Sequence, residues 1–382
     1  MTRRLVILTE IISPYRIPVF NALAQTPGIE LHVIFLAETD SALWQWKVYK
    51  EDIRFSYEIL PHWRLRIFGY NVLINRGVAA SLVKAKPDVV VCGGYSYLAM
   101  WQAQRWVRRH DIPVLLWSES TMQDQRRRSL MVESLKKSFL RACGGFIVPG
   151  KAAAEYLRSF GIPDRVIFTA PNAVDNDFFA TSASSARSQA PTLRAQLKLP
   201  ERYFLFVGRM IANKGIFQLL QAYARLEADL RQRIGLVFAG DGPARTQCEA
   251  QAALIQPGTI VFTGFLHREQ LALYYGLAEC LVFPTFSDPW GLVVNEAMAC
   301  SLPVITSDIA GATPDLVRDD WNGRVVAAGD LDGLSLAMQE LAEAPETTRL
   351  MSERSAERIA NYTAKAWAEG FASAVTARAL GW

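Results

Sequence analysis

The sequence predicts an α/β protein made of two doubly wound, Rossmann-type domains, and three observations carry that prediction. Its apolar runs are short and continuous rather than alternating, the pattern of strands covered on both faces in a parallel sheet. They come in two series, one in each half of the chain, separated by stretches of helical length. The 382 residues also exceed what one hydrophobic core usually supports. With 51% hydrophobic and 20% charged residues, the composition is that of a globular chain with ample core.

In chain order the first series is Leu5–Leu8, Leu31–Leu36, Phe55–Leu60, Val89–Cys92, Val114–Trp117, Phe146–Val148 and Val166–Thr169. Gly93-Gly94, Gly144-Gly145 and Pro149-Gly150 punctuate the strand ends, as residues that favour turns should. The second series is Tyr203–Val207, Ile234–Ala239, Ile260–Phe262, Cys280–Phe283, Pro303–Thr306 and Arg324–Val326. Between them Ala180–Ala190, ATSASSARSQA, is the most polar and small-residue-rich stretch, which suits a linker. The expected domains are therefore residues 1–185 and 195–362, with Tyr362–Leu380 reading as one or two amphipathic helices.

No apolar run approaches the ~20 residues of a spanning helix. The opening stretch reads as a buried first strand, not a secretory leader. The five cysteines are scattered, with no C-x-x-C pair, so buried free thiols in a reducing compartment are expected. Four histidines without ligand spacing argue against a protein-held metal. The net charge of +4 hides an asymmetry: residues 1–180 hold 23 Lys and Arg against 16 Asp and Glu, and the remainder 18 against 21. The first half thus carries the basic surface, including Arg126-Arg127-Arg128, Lys136-Lys137 and Arg141. An anionic acceptor, anionic lipid headgroups or a plain solvated face would each account for it. Residues 129–141 space Met131, Leu135 and Phe139 along one stripe, equally suited to lipid or to the core.

The stretch Pro284–Gly311, PTFSDPWGLVVNEAMACSLPVITSDIAG, organises the chain. Strand Cys280–Phe283 leads into a turn, then a helix expected to start near Trp290 or Gly291, with Ser287 or Asp288 as its cap. Asp288 and Glu296 are two carboxylates with seven residues between them. The amides of Gly291, Leu292 and Val293 would form an anion seat at the helix start. Glu296 would lie roughly 8 Å further along the axis. That order suits a nucleotide-diphosphate sugar, with its sugar hydroxyls, diphosphate and ribose. Earlier in the chain, strand Tyr203–Val207 runs into Gly208-Arg209 and then Lys214-Gly215. There a glycine turn and two cations would suit a diphosphate.

Together these motifs resemble the retaining glycosyltransferases of family 4. The first is similar to their E-x7-E region, with Asp288 in place of the first Glu; the second is similar to their G-R-x4-K-G element. The resemblance implies the GT-B fold, two Rossmann-like domains facing a cleft, with a C-terminal helix (~363–382) crossing back to the first. It implies Arg209 and Lys214 on the donor diphosphate, Glu296 on the ribose and Asp288 on the sugar. Gly240-Asp241-Gly242-Pro243 resembles the family's G-x-G-P turn, and Thr263-Gly264-Phe265-Leu266 its loop beside the base. Gly208, Gly242, Gly264, Phe265, Leu266, Pro289, Gly291, Leu292 and Val293 are accordingly the expected donor contacts. Ser301 stands where relatives have Gly.

The first domain matches more loosely. Tyr15-Arg16 follows the first strand, where Arg16 could face the cleft or cap the next helix. Tyr95 and Ser96 end a strand and are acceptor-side candidates. Glu119 occupies the strand end where relatives place an active-site His, and would bind a hydroxyl of donor or acceptor. The implied activity is transfer of a hexose, with retention, to a hydroxyl of a glycan, glycolipid or small-molecule acceptor. No cofactor or protein-bound metal is expected, and no nucleic-acid partner. The expected place is the cytoplasm, with a peripheral contact at the inner face of an anionic membrane. A nucleotide-sugar epimerase of the same fold, or a non-catalytic nucleotide-sugar or glycan-binding partner, stays open as an alternative.

Overall fold

The computed structural model describes residues 2–39, 47–67, 70–124 and 130–377. The chain divides into two compact units, Met1–Ala173 with Ala364–Trp382, and Val174–Thr363. In the first unit the strands are β1 (Arg3–Thr9), β2 (Ile29–Phe35), β3 (Ser56–Ile59), β4 (His62–Ile67), β5 (Tyr70–Asn75), β6 (Val89–Cys92), β7 (Val114–Trp117), β8 (Gly145–Val148) and β9 (Ile167–Thr169). Seven of them form one parallel sheet in the order β3-β2-β1-β6-β7-β8-β9. All side chains of β6, β7 and β8 are buried, because helices cover both faces; this is why those strands read as unbroken apolar runs.

The second unit holds β10 (Tyr203–Val207), β11 (Gly235–Ala239), β12 (Ile260–Gly264), β13 (Cys280–Phe283), β14 (Val304–Ser307) and β15 (Gly323–Val326). Their order is β12-β11-β10-β13-β14-β15, all parallel. Strand order therefore reverses between β10 and β13, and between β1 and β6 in the first unit. Such switch points leave a crevice outside the carboxyl ends of the strands, where open α/β sheets hold ligands.

Two expectations need correction. The stretch Ala180–Ala190 is not a linker: residues Asn176–Ser188 form a helix, and the unit boundary falls at Ala173/Val174. Its small residues serve close packing. A Cβ on Gly276, in helix Arg268–Leu277, would lie 2.8 Å from Ala183 Cα and 2.9 Å from Ala186 Cβ. Only small side chains let these two helices approach so nearly. The second correction is β4 and β5, which pair antiparallel as a separate hairpin absent from the run-based reading. Alternation of Trp63 and Leu65, both exposed, with Arg64 was its signal. Leu73 and the buried Asn75, whose Nδ2 donates to Leu36 O at 2.6 Å, anchor it.

Helix Ala364–Thr376 belongs to the first unit. Its Trp367 and Phe371 are fully buried and pack on Trp117, with ring centroids 5.6 and 5.9 Å away. Gly370 permits the approach, since a Cβ there would lie 2.1 Å from Thr169 O. Arg3 Nη1 adds a hydrogen bond to Val375 O at 2.9 Å.

Truncating Trp367 to Ala removes the centre of this aromatic cluster. The unfolding free energy in denaturant titration should drop by about 3–5 kcal/mol. Ser301, just past helix Leu292–Ala299, has φ 56°, the left-handed conformation that favours glycine at a helix end. Ser301→Gly should therefore raise stability by up to about 1 kcal/mol in the same titration.

Candidate functional site

In the second unit the loops after β10, β11 and β12 are laced together by backbone contacts. Gly208 N–H donates to Ala239 O at 3.1 Å, Met210 N–H to Asp241 O at 2.9 Å, and Gly240 N–H to Gly264 O at 2.9 Å. Glycine is required for this: a Cβ on Gly240 would lie 1.9 Å from Gly208 O, and one on Gly242 2.5 Å from Met210 O. Arg209 is exposed beside this junction. Phe265, 39% exposed, stands edge-on to His267 at 5.2 Å, while Leu266 packs partly into the core.

Across the switch point, the loop after β10 meets the loop after β13. Phe286 N–H and Thr285 Oγ1 both donate to Asn213 O, at 2.8 and 3.2 Å. Gly215, with φ 74°, ends the short 3-10 turn Ala212–Lys214; a Cβ there would lie 2.0 Å from Pro284 O. Lys214 consequently reaches Asp288: its Nζ lies 2.6 Å from Oδ2 and donates to Ser287 O at 3.0 Å. The two side chains are only 16% and 20% exposed. Two residues assigned separately, to phosphate and to sugar, are thus brought together as an ion pair.

The expected helix cap is corrected here. Asp288 Oδ1 accepts from Trp290 N–H at 3.1 Å, and the N-cap position of helix Leu292–Ala299 is Gly291, at φ 96°. Neither Ser287 nor Asp288 caps the helix with its side chain, because Pro289 and Trp290 intervene and Asp288 is committed to Lys214. A Cβ on Gly291 would lie 2.7 Å from the Phe283 ring. The first-turn amides of Leu292 and Val293 have no intrahelical carbonyl to meet, as at any helix start, and both residues are half-buried. Pro289 O lies 1.8 Å from where a Gly311 Cβ would be, so the loop after β14 also closes on this turn.

Glu296 is 1% exposed, and Tyr275 Oη donates to its Oε2 at 2.8 Å. Burial pushes its pKa up to about 7, an effect that Tyr275 partly offsets. Glu296 is hydrogen-bonded to Tyr275, while Lys214 and Asp288 pair with each other. Tyr275 is a residue that sequence reading missed; an aromatic pair, Tyr274-Tyr275, in an otherwise ordinary helix was the available signal.

In the first unit Arg16 gathers a second cluster. Its guanidinium pairs with Glu119, donates to Asn172 Oδ1 at 2.8 Å and lies 4.4 Å from the Trp117 ring centroid. The side chain of Arg16 does not cap helix Ile17–Ala24. Tyr95 Oη lies 3.5 Å from Ser120 Oγ, so the loops after β6 and β7 are adjacent. Tyr15 is half-buried and Ser96 exposed. Asn172, a buried residue, belongs to this cluster through its contact with Arg16.

Among the described residues no three His, Cys, Asp or Glu side chains gather as a metal site. All five cysteines are free, and burial raises each thiol's pKa. No helix among the described residues is long and apolar enough to cross a membrane.

Comparison with known proteins follows the same division. Residues 21–178 match the family model "Glycosyltransferase Family 4", and residues 190–358 match "Glycosyl transferases group 1". The chain is 30% identical over 275 residues to the O-antigen chain mannosyltransferase B of Escherichia coli, covering 71% of this chain and 69% of that one. It is 27% identical over 235 residues to the E. coli serotype-specific mannosyltransferase WbdA, spanning 60% of this chain and 28% of that protein. Among solved structures, sucrose-phosphate synthase of Thermosynechococcus elongatus aligns with a TM-score of 0.72 at 22% identity, over 97% of this chain and 98% of that one. Anabaena HepE in complex with UDP aligns with a TM-score of 0.76 at 15% identity, over 98% and 100%. These two share the fold with this chain.

A carboxyl group whose pKa is raised in the folded state binds its proton more tightly there than in the unfolded chain. Stability is then full below the unfolded value and falls as pH rises towards the folded one. For Glu296 that window runs from the ordinary 4.5 up to about 7. Glu296→Gln should abolish this dependence, so that the variant gains about 2–3 kcal/mol on wild type between pH 5 and 8. Denaturant titrations at the two pH values check it.

Proposed function

The chain belongs to glycosyltransferase family 4, and from that premise we propose that it moves a hexose, with retention, from a nucleotide-diphosphate sugar to an acceptor hydroxyl. The observation that carries this reading is the Lys214–Asp288 pair, set at the switch point beside the N-terminus of helix Leu292–Ala299. In one place it offers a cation and helix amides for phosphate, and a carboxylate for sugar hydroxyls.

In this reading Arg209 and Lys214 hold the donor diphosphate, and Asp288 accepts hydrogen bonds from the hexose. Gly208, Gly242, Gly264, Phe265 and Leu266 line the approach of the nucleotide. Pro289, Gly291, Leu292 and Val293 shape the anion seat. Glu296 orients the ribose side of the pocket through helix Leu292–Ala299. As the bond from the anomeric carbon to the phosphate oxygen breaks, negative charge grows on the departing diphosphate. Fixed cations and amides stabilise that charge at little reorganisation cost. The acceptor oxygen bonds to the anomeric carbon on the same face, and its proton passes to a departing phosphate oxygen. Arg209 and Lys214 supply the charge neutralisation that a bound metal supplies in other transferases. On the first unit Glu119, held by Arg16, would take a hydroxyl of donor or acceptor, with Tyr15, Tyr95 and Ser96 beside the acceptor. The names of the E. coli relatives make mannose the first sugar to test and a glycan the first acceptor class.

A thermal-shift screen with UDP, GDP and ADP and their common sugars tests the donor site, since ligand that binds only the folded state raises its stability. One nucleotide should shift wild type, and Lys214→Ala should lose that shift. In a transfer assay Arg209→Ala and Lys214→Ala should each lower kcat by about 10²–10³. Wild-type rates in both variants would sink the mechanism. Turnover of the donor with no acceptor present would favour an epimerase instead.

A further inference from the structure

On the first unit, helices Leu98–Arg109 and Leu130–Arg141 border a groove that plays no part in the chemistry above. It consists of two hollows, of about 760 and 710 Å³, which share Arg108 and Ser138 in their walls and so run into one another. Five cations line it: Arg105, Arg108, Arg109, Lys137 and Arg141. All five are exposed, and Asp111 is the one acidic group in either wall.

Elsewhere in the chain Arg202, Arg225, Arg245, Arg324 and Arg349 are each held by a carboxylate. Among the described residues none of the five groove cations makes such a pair, and Lys136, next in sequence to Lys137, is the one that takes Glu133. Like charges held together without counter-charges repel one another, a cost that an external anion removes.

The second feature is apolar. Leu98, in the groove wall, and Leu135, on the helix beside Ser134, are 55% and 52% exposed. The rest of that sequence stripe behaves differently: Phe139 is fully buried, so core packing accounts for it and not for Leu135. Met131's side chain and Arg126–Arg128 lie outside the described residues.

We propose that this groove seats the face of an anionic lipid bilayer, with headgroup phosphates between the two helices and Leu98 and Leu135 entering the acyl boundary. Each cation near such a surface adds attraction, and exposed leucines add apolar burial. A free soluble phosphate would leave both leucines in water, and a second copy of the chain would bring the same positive charge to the contact.

Co-sedimentation of the full chain with vesicles tests this. Wild type should bind phosphatidylcholine vesicles containing phosphatidylglycerol, fail to bind phosphatidylcholine alone, and release as salt is raised. The double variant Arg108→Glu/Lys137→Glu should bind at least roughly tenfold more weakly, and Leu98→Ser/Leu135→Ser should also weaken binding at low salt. Both variants should keep the wild-type melting temperature and nucleotide-induced shift, which separates this proposal from the donor-site reading. Equal binding by wild type and the charge-reversed variant would overturn it. So would a shift by inorganic phosphate without any binding to anionic vesicles.

Discussion

The Lys214–Asp288 ion pair depends on two loops meeting backbone to backbone, and most of the second unit is arranged to let them meet. A parallel sheet whose order reverses between β10 and β13 places the carboxyl ends of those strands side by side. Closing the last distance needs glycine at 215, where a side chain would strike Pro284 O. Gly291 and Gly311 do the same on the far side of the Asp288 turn. Because the two charges are mostly withdrawn from water, removing one partner leaves the other poorly solvated. In the proposed reading a diphosphate would compete with Asp288 for Lys214.

The first unit reaches a comparable result by other means. Arg16 is held between an anion, Glu119, an amide, Asn172, and the face of Trp117. Trp117 in turn rests on Trp367 and Phe371 of helix Ala364–Thr376. The far end of the chain therefore supports the indole on which Arg16 lies. Packing and polar geometry are coupled: an aromatic core cluster fixes the floor of a charged one.

Glu296 shows how a residue can keep its place in a motif while its surroundings change its chemistry. Its spacing from Asp288 follows from helix geometry and is visible in the sequence. Its deep burial and its bond to Tyr275 come from the packing of helix Arg268–Leu277 on helix Leu292–Ala299. A carboxyl group in that setting holds its proton into the neutral range, which no reading of spacing reveals.

The strands, their parallel arrangement and the glycine-bearing loops were legible in the sequence, because a strand buried on both faces must be continuously apolar and a close backbone approach excludes a side chain. That Arg209, Lys214 and Asp288 fall in loops that follow strands was legible for a similar reason: the apolar runs mark where each strand ends. The hairpin was present as an alternation at Trp63 and Leu65 that a search for continuous runs passes over. The mistaken linker at Ala180–Ala190 arose because small residues suit both a flexible tether and a tight helix crossing; only Gly276 opposite Ala183 and Ala186 distinguishes them. Which charges pair was likewise beyond the sequence: Lys214 with Asp288 and Arg16 with Glu119 are separated by 74 and 103 residues. Local composition sets what each segment can form, while pairing over such distances is set by sheet order and helix packing, which bring remote side chains within a few ångströms.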